Sequence, residues 1–161
     1  MVAEQLKKGN MFPLHLVIEC LSKAIATQEG FYSNKSIPAI SQRLKNPGNL
    51  THWRNKKGQA YPTNNGYVNF PNPEEGFAAL RGQIKINLKK NPTFKEFFTG
   101  VRGSFAGFAP RGHGDNDPVG YAAFTVRFLS RNLGLAEPLS IDDKISKLVA
   151  HSLFQEAALA P

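Results

Sequence analysis

Ala24-Ile25-Ala26-Thr27-Gln28-Glu29-Gly30-Phe31 is the stretch from which the fold is read outward. Ahead of and into it, Leu14, Val17, Ile18, Leu21, Ala24, Ile25 and Gln28 recur at intervals of three and four, the spacing of a helix that buries one face. Gly30 stands where a left-handed residue ends such a helix. Glu29 falls four residues beyond Ile25, at the edge of the apolar stripe and at the negative end of the helix dipole, where an ionised carboxylate is disfavoured. Both surroundings set the expected pKa of Glu29 above that of an ordinary glutamate, which suits a carboxyl group that has to donate a proton. A glutamate at a helix end also has a plain reading as a solvated residue, so Glu29 is a candidate general acid whose weight depends on its neighbours.

The 161 residues suffice for one domain with a sizeable core, and no repeat or low-complexity stretch divides them, so a single domain over 1–161 is expected. The one cysteine, Cys20, lies inside the first helix and has no partner for an internal disulfide. Lys7 and Lys8 precede an apolar run from Met11, but Pro13, His15 and Glu19 interrupt it, and neither a signal peptide nor a membrane span is expected. Twenty Lys and Arg against twelve Asp and Glu give a net charge of +8, which favours a polyanionic partner. The basic residues are dispersed and carry no nucleic-acid reader motif, so nucleic acid is not the expected partner.

Downstream, a short helix is expected from Ala39 to Leu44, stopped by the turn Asn46-Pro47-Gly48-Asn49. Gly58–Tyr61 and Gly66–Phe70 flank Pro62-Thr63-Asn64-Asn65 and are expected to pair as a small hairpin, the only sheet. Asn72, Pro73 and Glu75 form a helix start, with a buried stripe of Phe77, Leu80, Ile84 and Leu88. Gly76 and Gly82 inside that helix suggest close approach by another backbone or a ligand. Thr93 and Glu96 cap a helix bearing Phe94, Phe97 and Phe98. A glycine-rich loop then runs from Gly100 to Gly114. Asp117-Pro118 opens a helix on which Tyr121, Phe124, Thr125 and Phe128 share a face until Gly134. Ser140 and Asp143 are expected to cap a last helix through Ile145, Leu148, Val149 and Leu153. The fold class is α+β, mostly α-helical, with one small hairpin.

Taken together, Ala24-Ile25-Ala26 ahead of Glu29-Gly30-Phe31, then Asn46-Pro47-Gly48-Asn49-Leu50, then Phe70 with Asn72-Pro73-Glu74-Glu75-Gly76-Phe77-Ala78-Ala79-Leu80 and Gln83-Ile84, resemble the lysozyme-like superfamily. Within it the chain is most similar to the lytic-transglycosylase-type proteins of phage particles and bacterial genomes, over about residues 24–133, with Phe108-Ala109-Pro110, Asn116 and Tyr121 continuing the match. The resemblance implies a peptidoglycan-cleaving domain acting at the bacterial cell wall. In it Glu29 protonates the glycosidic oxygen between N-acetylmuramic acid and N-acetylglucosamine, and the Tyr121 hydroxyl lies near that acid. Lys45 stands where such relatives often have asparagine, and Asn49-Leu50 where better-known lytic transglycosylases carry Leu-Met-Gln.

The residues themselves bear on the chemistry. Most glycosidases pair an acid with a second carboxylate about 5 Å away, or about 6.5–9.5 Å away when water attacks. No Asp or Glu lies between Glu29 and Glu74, so the hairpin carries none. A lone acid suffices if the substrate's own C6 hydroxyl attacks, because intramolecular attack has an effective molarity of about 10⁵ M or more. Glu29 would donate its proton and then accept one as a 1,6-anhydro ring closes. The alternatives are an inverting lysozyme, with Asp115, Asp117 or hairpin polar groups positioning water, and a non-catalytic basic wall-binding or virion structural protein. Asn46, Asn49, Tyr61, Asn65, Phe70, Phe108, Asn116 and Tyr121 are the candidate substrate-binding residues, with aromatic rings available to stack on sugar faces. His15, His52, His113 and His151 lack metal-ligand spacing, so no metal and no cofactor is expected; the resemblance implies peptidoglycan glycan strands as the partner, and a monomer is expected.

Overall fold

The computed structural model describes residues 11–108 and 117–149. They form a mainly helical α+β protein with two small antiparallel strand pairs. The elements are α1 (Leu14–Gln28), α2 (Ile40–Arg43), β1 (Thr63–Asn64), β2 (Tyr67–Val68), α3 (Pro73–Leu88), α4 (Phe94–Thr99), β3 (Gly100–Val101), β4 (Phe105–Ala106), α5 (Pro118–Asn132) and a 3-10 turn, Ile145–Leu148. The chain divides into two compact units, Ser22–Gln83 and Met1–Leu21 with Ile84–Pro161. No described helix is long and apolar enough to cross a membrane.

In the unit Ser22–Gln83, the end of α1 is a complete Schellman motif. The N–H of Phe31 donates to the Ala26 carbonyl at 2.9 Å and that of Gly30 to Thr27 at 3.1 Å, with Gly30 at φ +78°. Ala24, Ile25 and Ala26 are fully buried with Phe70, Val68 and Leu80 in the apolar interior. Asn72 caps α3, its Oδ1 accepting from the Glu75 N–H at 2.9 Å. The two glycines of α3 have different causes. A Cβ on Gly76 would collide with the Lys45 carbonyl oxygen, and one on Gly82 would lie 2.7 Å from the Trp53 ring. A backbone explains the first and a side chain the second.

The hairpin register differs from the expected one. Thr63 pairs with Val68 and Asn64 with Tyr67, so the turn is Asn65-Gly66, with both residues at positive φ. This matches the twist that two-residue hairpin loops require, and Asn-Gly is its strongest sequence signal. The Gly58–Tyr61 segment pairs backward instead. The Tyr61 N–H donates to the Trp53 carbonyl at 3.0 Å and the Asn55 N–H to Gln59 at 2.8 Å.

In the other unit, Thr93 and Glu96 form the expected reciprocal cap of α4, and Phe94, Phe97 and Phe98 are fully buried. Here the expectation of one sheet is corrected. Gly100 pairs with Ala106 and Val101 with Phe105, closing a second strand pair inside the glycine-rich loop. The buried face of α5 is Ala122, Thr125, Val126 and Leu129, while Tyr121, Phe124 and Phe128 are half-buried beside it. The last helix is also corrected: Ile145–Leu148 is a single 3-10 turn, and Val149 is extended and bridges to Phe12. Its carbonyls and amides are engaged elsewhere. The Phe94 and Lys95 N–H groups donate to Asp143 and Ile141 at 3.0 and 2.8 Å, and the Ile145 N–H donates to Pro92. Backbone groups committed to distant partners are not available to propagate a helix. Leu153 lies outside the described residues.

Lys45 sits at φ +53°, a conformation that costs an L residue about 1–2 kcal/mol. Lys45→Gly is therefore expected to stabilise the protein by up to about 1 kcal/mol. Gly76→Ala is expected to destabilise it by about 1–3 kcal/mol through overpacking against the Lys45 carbonyl. Urea denaturation reads both, and wild-type stability of Gly76→Ala would refute the close approach.

Candidate active site

Glu29 directly follows α1, half-buried, with its backbone held on both sides. Its N–H donates to the Ile25 carbonyl at 2.9 Å, and its own carbonyl accepts from the Ser41 hydroxyl of α2 at 2.8 Å. The Ser41 bond satisfies one of the carbonyls that a helix end leaves without an intrahelical partner. Next to it, the Gln42 side chain donates to the carbonyls of Phe31 and Ser33 and accepts from the Ala39 N–H. Ser41 and Gln42 thus tie the loop after Glu29 to α2. Sequence reading placed a helix there but missed both roles, since a short polar helix face carries no signal of what it will meet.

The turn expected at 46–49 is present, and it aims a side chain at the acid. Asn49 Nδ2 donates to Glu29 Oε2 at 2.8 Å. Asn49 is itself left-handed, at φ +48°, and its Oδ1 is buried with no hydrogen-bond partner among the described residues. A buried acceptor left unmade costs about 1–3 kcal/mol.

Asn46 was expected on the substrate and is found in the scaffold. It is fully buried, Nδ2 donating to the carbonyls of Leu50 and Val68 at 2.9 and 3.0 Å, and Oδ1 accepting from the Leu50 N–H at 2.9 Å. Its side chain therefore faces protein only, and its contribution is to hold the 46–50 loop against β2. Backbone bonds from Val68 to Leu50 (2.8 Å) and from Phe70 to Leu44 (3.0 Å) complete that seam.

Phe70, open in the sequence to a place in the core or in a sugar-stacking wall, lies in the core at 1% exposure, with its ring centroid 5.0 Å from that of Tyr61. Tyr61 is half-buried, and its hydroxyl donates to Glu75 Oε1 at 2.9 Å, while Glu75 Oε2 accepts from Asn72 Nδ2 at 3.2 Å. Asn65 is exposed at the hairpin turn. Phe108 and Tyr121 belong to the other unit, where Phe108 stacks on Phe97 at 5.8 Å and Tyr121 meets Phe98 edge-on at 6.0 Å. Asp117 is the N-cap of α5, its Oδ1 accepting from the Gly120 N–H at 3.1 Å. Asn116 and Asp115 lie outside the described residues. No group of three His, Cys, Asp or Glu among the described residues is placed to hold a metal ion.

Two measurements check this arrangement. Asn46→Ala leaves the Leu50 N–H and two carbonyls without their partner, so a loss of at least about 3 kcal/mol in unfolding free energy is expected at about 1–3 kcal/mol per buried group. The Tyr61 phenol titrates above the ordinary 10.0, first because it donates to Glu75, then because of burial and the Glu75 charge. Its raised folded pKa means that the folded state keeps the proton longer. The stability it contributes is therefore present below pH 10 and lost as pH rises through the folded value. Tyr61→Phe should lack that alkaline decline, as read by denaturation across the range.

Neither a family model, nor a curated protein, nor a solved structure matches this chain.

Proposed function

We propose that this protein is a lysozyme-like peptidoglycan-cleaving enzyme of the lytic transglycosylase type, acting on the β-1,4 bond between N-acetylmuramic acid and N-acetylglucosamine. The observation that carries the reading is Glu29, a half-buried carboxyl group at a helix end, its backbone bonded by Ser41 and one carboxyl oxygen bonded by Asn49. A general acid needs such fixed geometry, because proton transfer requires the donor oxygen at hydrogen-bond distance from the leaving oxygen. The order of elements, helix ending in an acid, short helix, buried-asparagine turn, hairpin and long helix, supports the family reading made on the motifs.

Non-hydrolytic cleavage is favoured by what the other carboxylates do. In the unit Ser22–Gln83 the remaining two are Glu74, exposed in the first turn of α3, and Glu75, bonded through both oxygens to Tyr61 and Asn72. Asp117 is engaged as a cap. An acid with no uncommitted second carboxylate beside it among the described residues of its unit matches attack by the C6 hydroxyl of the muramic acid residue. Glu29 protonates the glycosidic oxygen as the C1–O bond breaks, then as carboxylate takes the proton of the C6 hydroxyl as its oxygen bonds C1. The acid-free run from Gly30 to Pro73 carries six cations, Lys35, Arg43, Lys45, Arg54, Lys56 and Lys57, which favours approach to an anionic wall.

The test is digestion of purified peptidoglycan followed by mass spectrometry. Wild-type protein is expected to release fragments ending in 1,6-anhydromuramic acid. Glu29→Gln, which keeps the shape without the proton, is expected to lose about 10²-fold or more of the activity. Reducing ends as the sole product would move the mechanism to water, and binding without cleavage would leave a wall-binding protein.

A further inference from the structure

We propose that Asn49 is a positioning residue for Glu29: its amide N–H holds Oε2 as an acceptor, so that the proton to be donated resides on Oε1. The inference rests on the acid role of Glu29 given above, and it comes from comparing two asparagines of one turn.

Asn46 makes three side-chain hydrogen bonds, all to backbone, and is fully buried. It is the asparagine that builds the turn. Asn49 makes a single described side-chain bond, to Glu29 Oε2, and leaves its buried Oδ1 without a partner among the described residues. Its backbone is left-handed at φ +48°. For building a turn alone, glycine is the better residue at that position, since it adopts φ > 0 freely and brings no unpaired acceptor. What asparagine adds is the N–H aimed at Glu29. Local costs retained without a structural return are the mark of a functional position.

The chemistry follows from the donor and acceptor inventory. A protonated carboxyl group has one hydroxyl oxygen and one oxygen that only accepts. An N–H directed at Oε2 is met by a lone pair there and repelled by a hydroxyl hydrogen, which selects the form protonated on Oε1. Once that proton has left, the same N–H becomes a charge-assisted bond to the carboxylate, so one contact serves both the acid and the base step. Two other polar side chains of the flanking elements bond to backbone carbonyls. Ser41 of α2 is bonded to the Glu29 backbone carbonyl, and Lys45 at the start of the turn donates to the Pro71 carbonyl at 3.5 Å.

The test compares wild type, Asn49→Gly and Asn49→Asp. Asn49→Gly is expected to keep or raise Tm while kcat falls about tenfold to hundredfold with little change in KM, the loss of a hydrogen bond to a charged group. Removing an N–H that favours the carboxylate moves the Glu29 titration upward, read directly from its carboxyl ¹³C shift and from the alkaline limb of the pH profile. Asn49→Asp keeps the shape of the side chain without its N–H, and should move the titration the same way. A fall in Tm with an unmoved titration would make Asn49 structural, and a rise in KM at constant kcat would make it a substrate contact; either overturns the proposal. Full activity of Glu29→Gln would sink the acid assignment itself. An inactive Glu29→Gln beside an Asn49→Gly of wild-type kcat and unmoved titration sinks only the role of Asn49.

Discussion

The buried amide of Asn46 is the interaction on which the candidate site depends. Its Nδ2 and Oδ1 join Leu50 and Val68, so the loop after α2 and the second strand of the hairpin share one hydrogen-bonded seam. A fully buried amide is tolerated only when its groups are paired, and these pairings exist in one loop geometry. That geometry sets where Asn49 stands, three residues on, and Asn49 bonds the acid. The line from the hairpin to Glu29 thus runs through backbone carbonyls and two amides.

Glu29 is held from the other side by the end of its own helix. The Schellman closure at Gly30 and the Ser41 hydroxyl satisfy carbonyls that the helix end leaves without an intrahelical partner. The same neighbourhood carries costs in Lys45 and Asn49, both left-handed, and in the unpaired Oδ1. Asparagine tolerates φ > 0 better than lysine does, so Lys45 carries a backbone cost that asparagine at this position would reduce.

The unit that contains α4 and α5 is stabilised differently. Its interior is aromatic, with Phe97 and Phe98 fully buried and Phe108 and Tyr121 packed on them by stacked and edge-on contacts. Backbone bonds from α4 to Asp143 and Ile141 pin the chain that follows α5, which meets α4 as a turn closed by the Asp143 N–H on the Ser140 carbonyl before its single 3-10 turn.

Features governed by neighbours in the chain were legible in the sequence. The apolar stripe of α1, the left-handed Gly30, the Asn72 and Thr93 caps and the Asp117-Pro118 start are all local matters of period, dihedral preference and capping, settled within about four residues. The acid-free run from Gly30 to Pro73 was equally plain. Only the tertiary structure decided the rest, because each remaining choice turned on a partner far along the chain. The Asn65-Gly66 turn was present in the sequence, yet whether Gly58–Tyr61 paired forward with Gly66–Phe70 or backward with Trp53 depended on competing backbone partners. The last segment had helical spacing, but distant amides and carbonyls took the groups a helix needs. Two asparagines three residues apart looked alike as letters, and burial separated them: one amide closed on backbone became scaffold, and the other, with a single bond among the described residues, was aimed at Glu29.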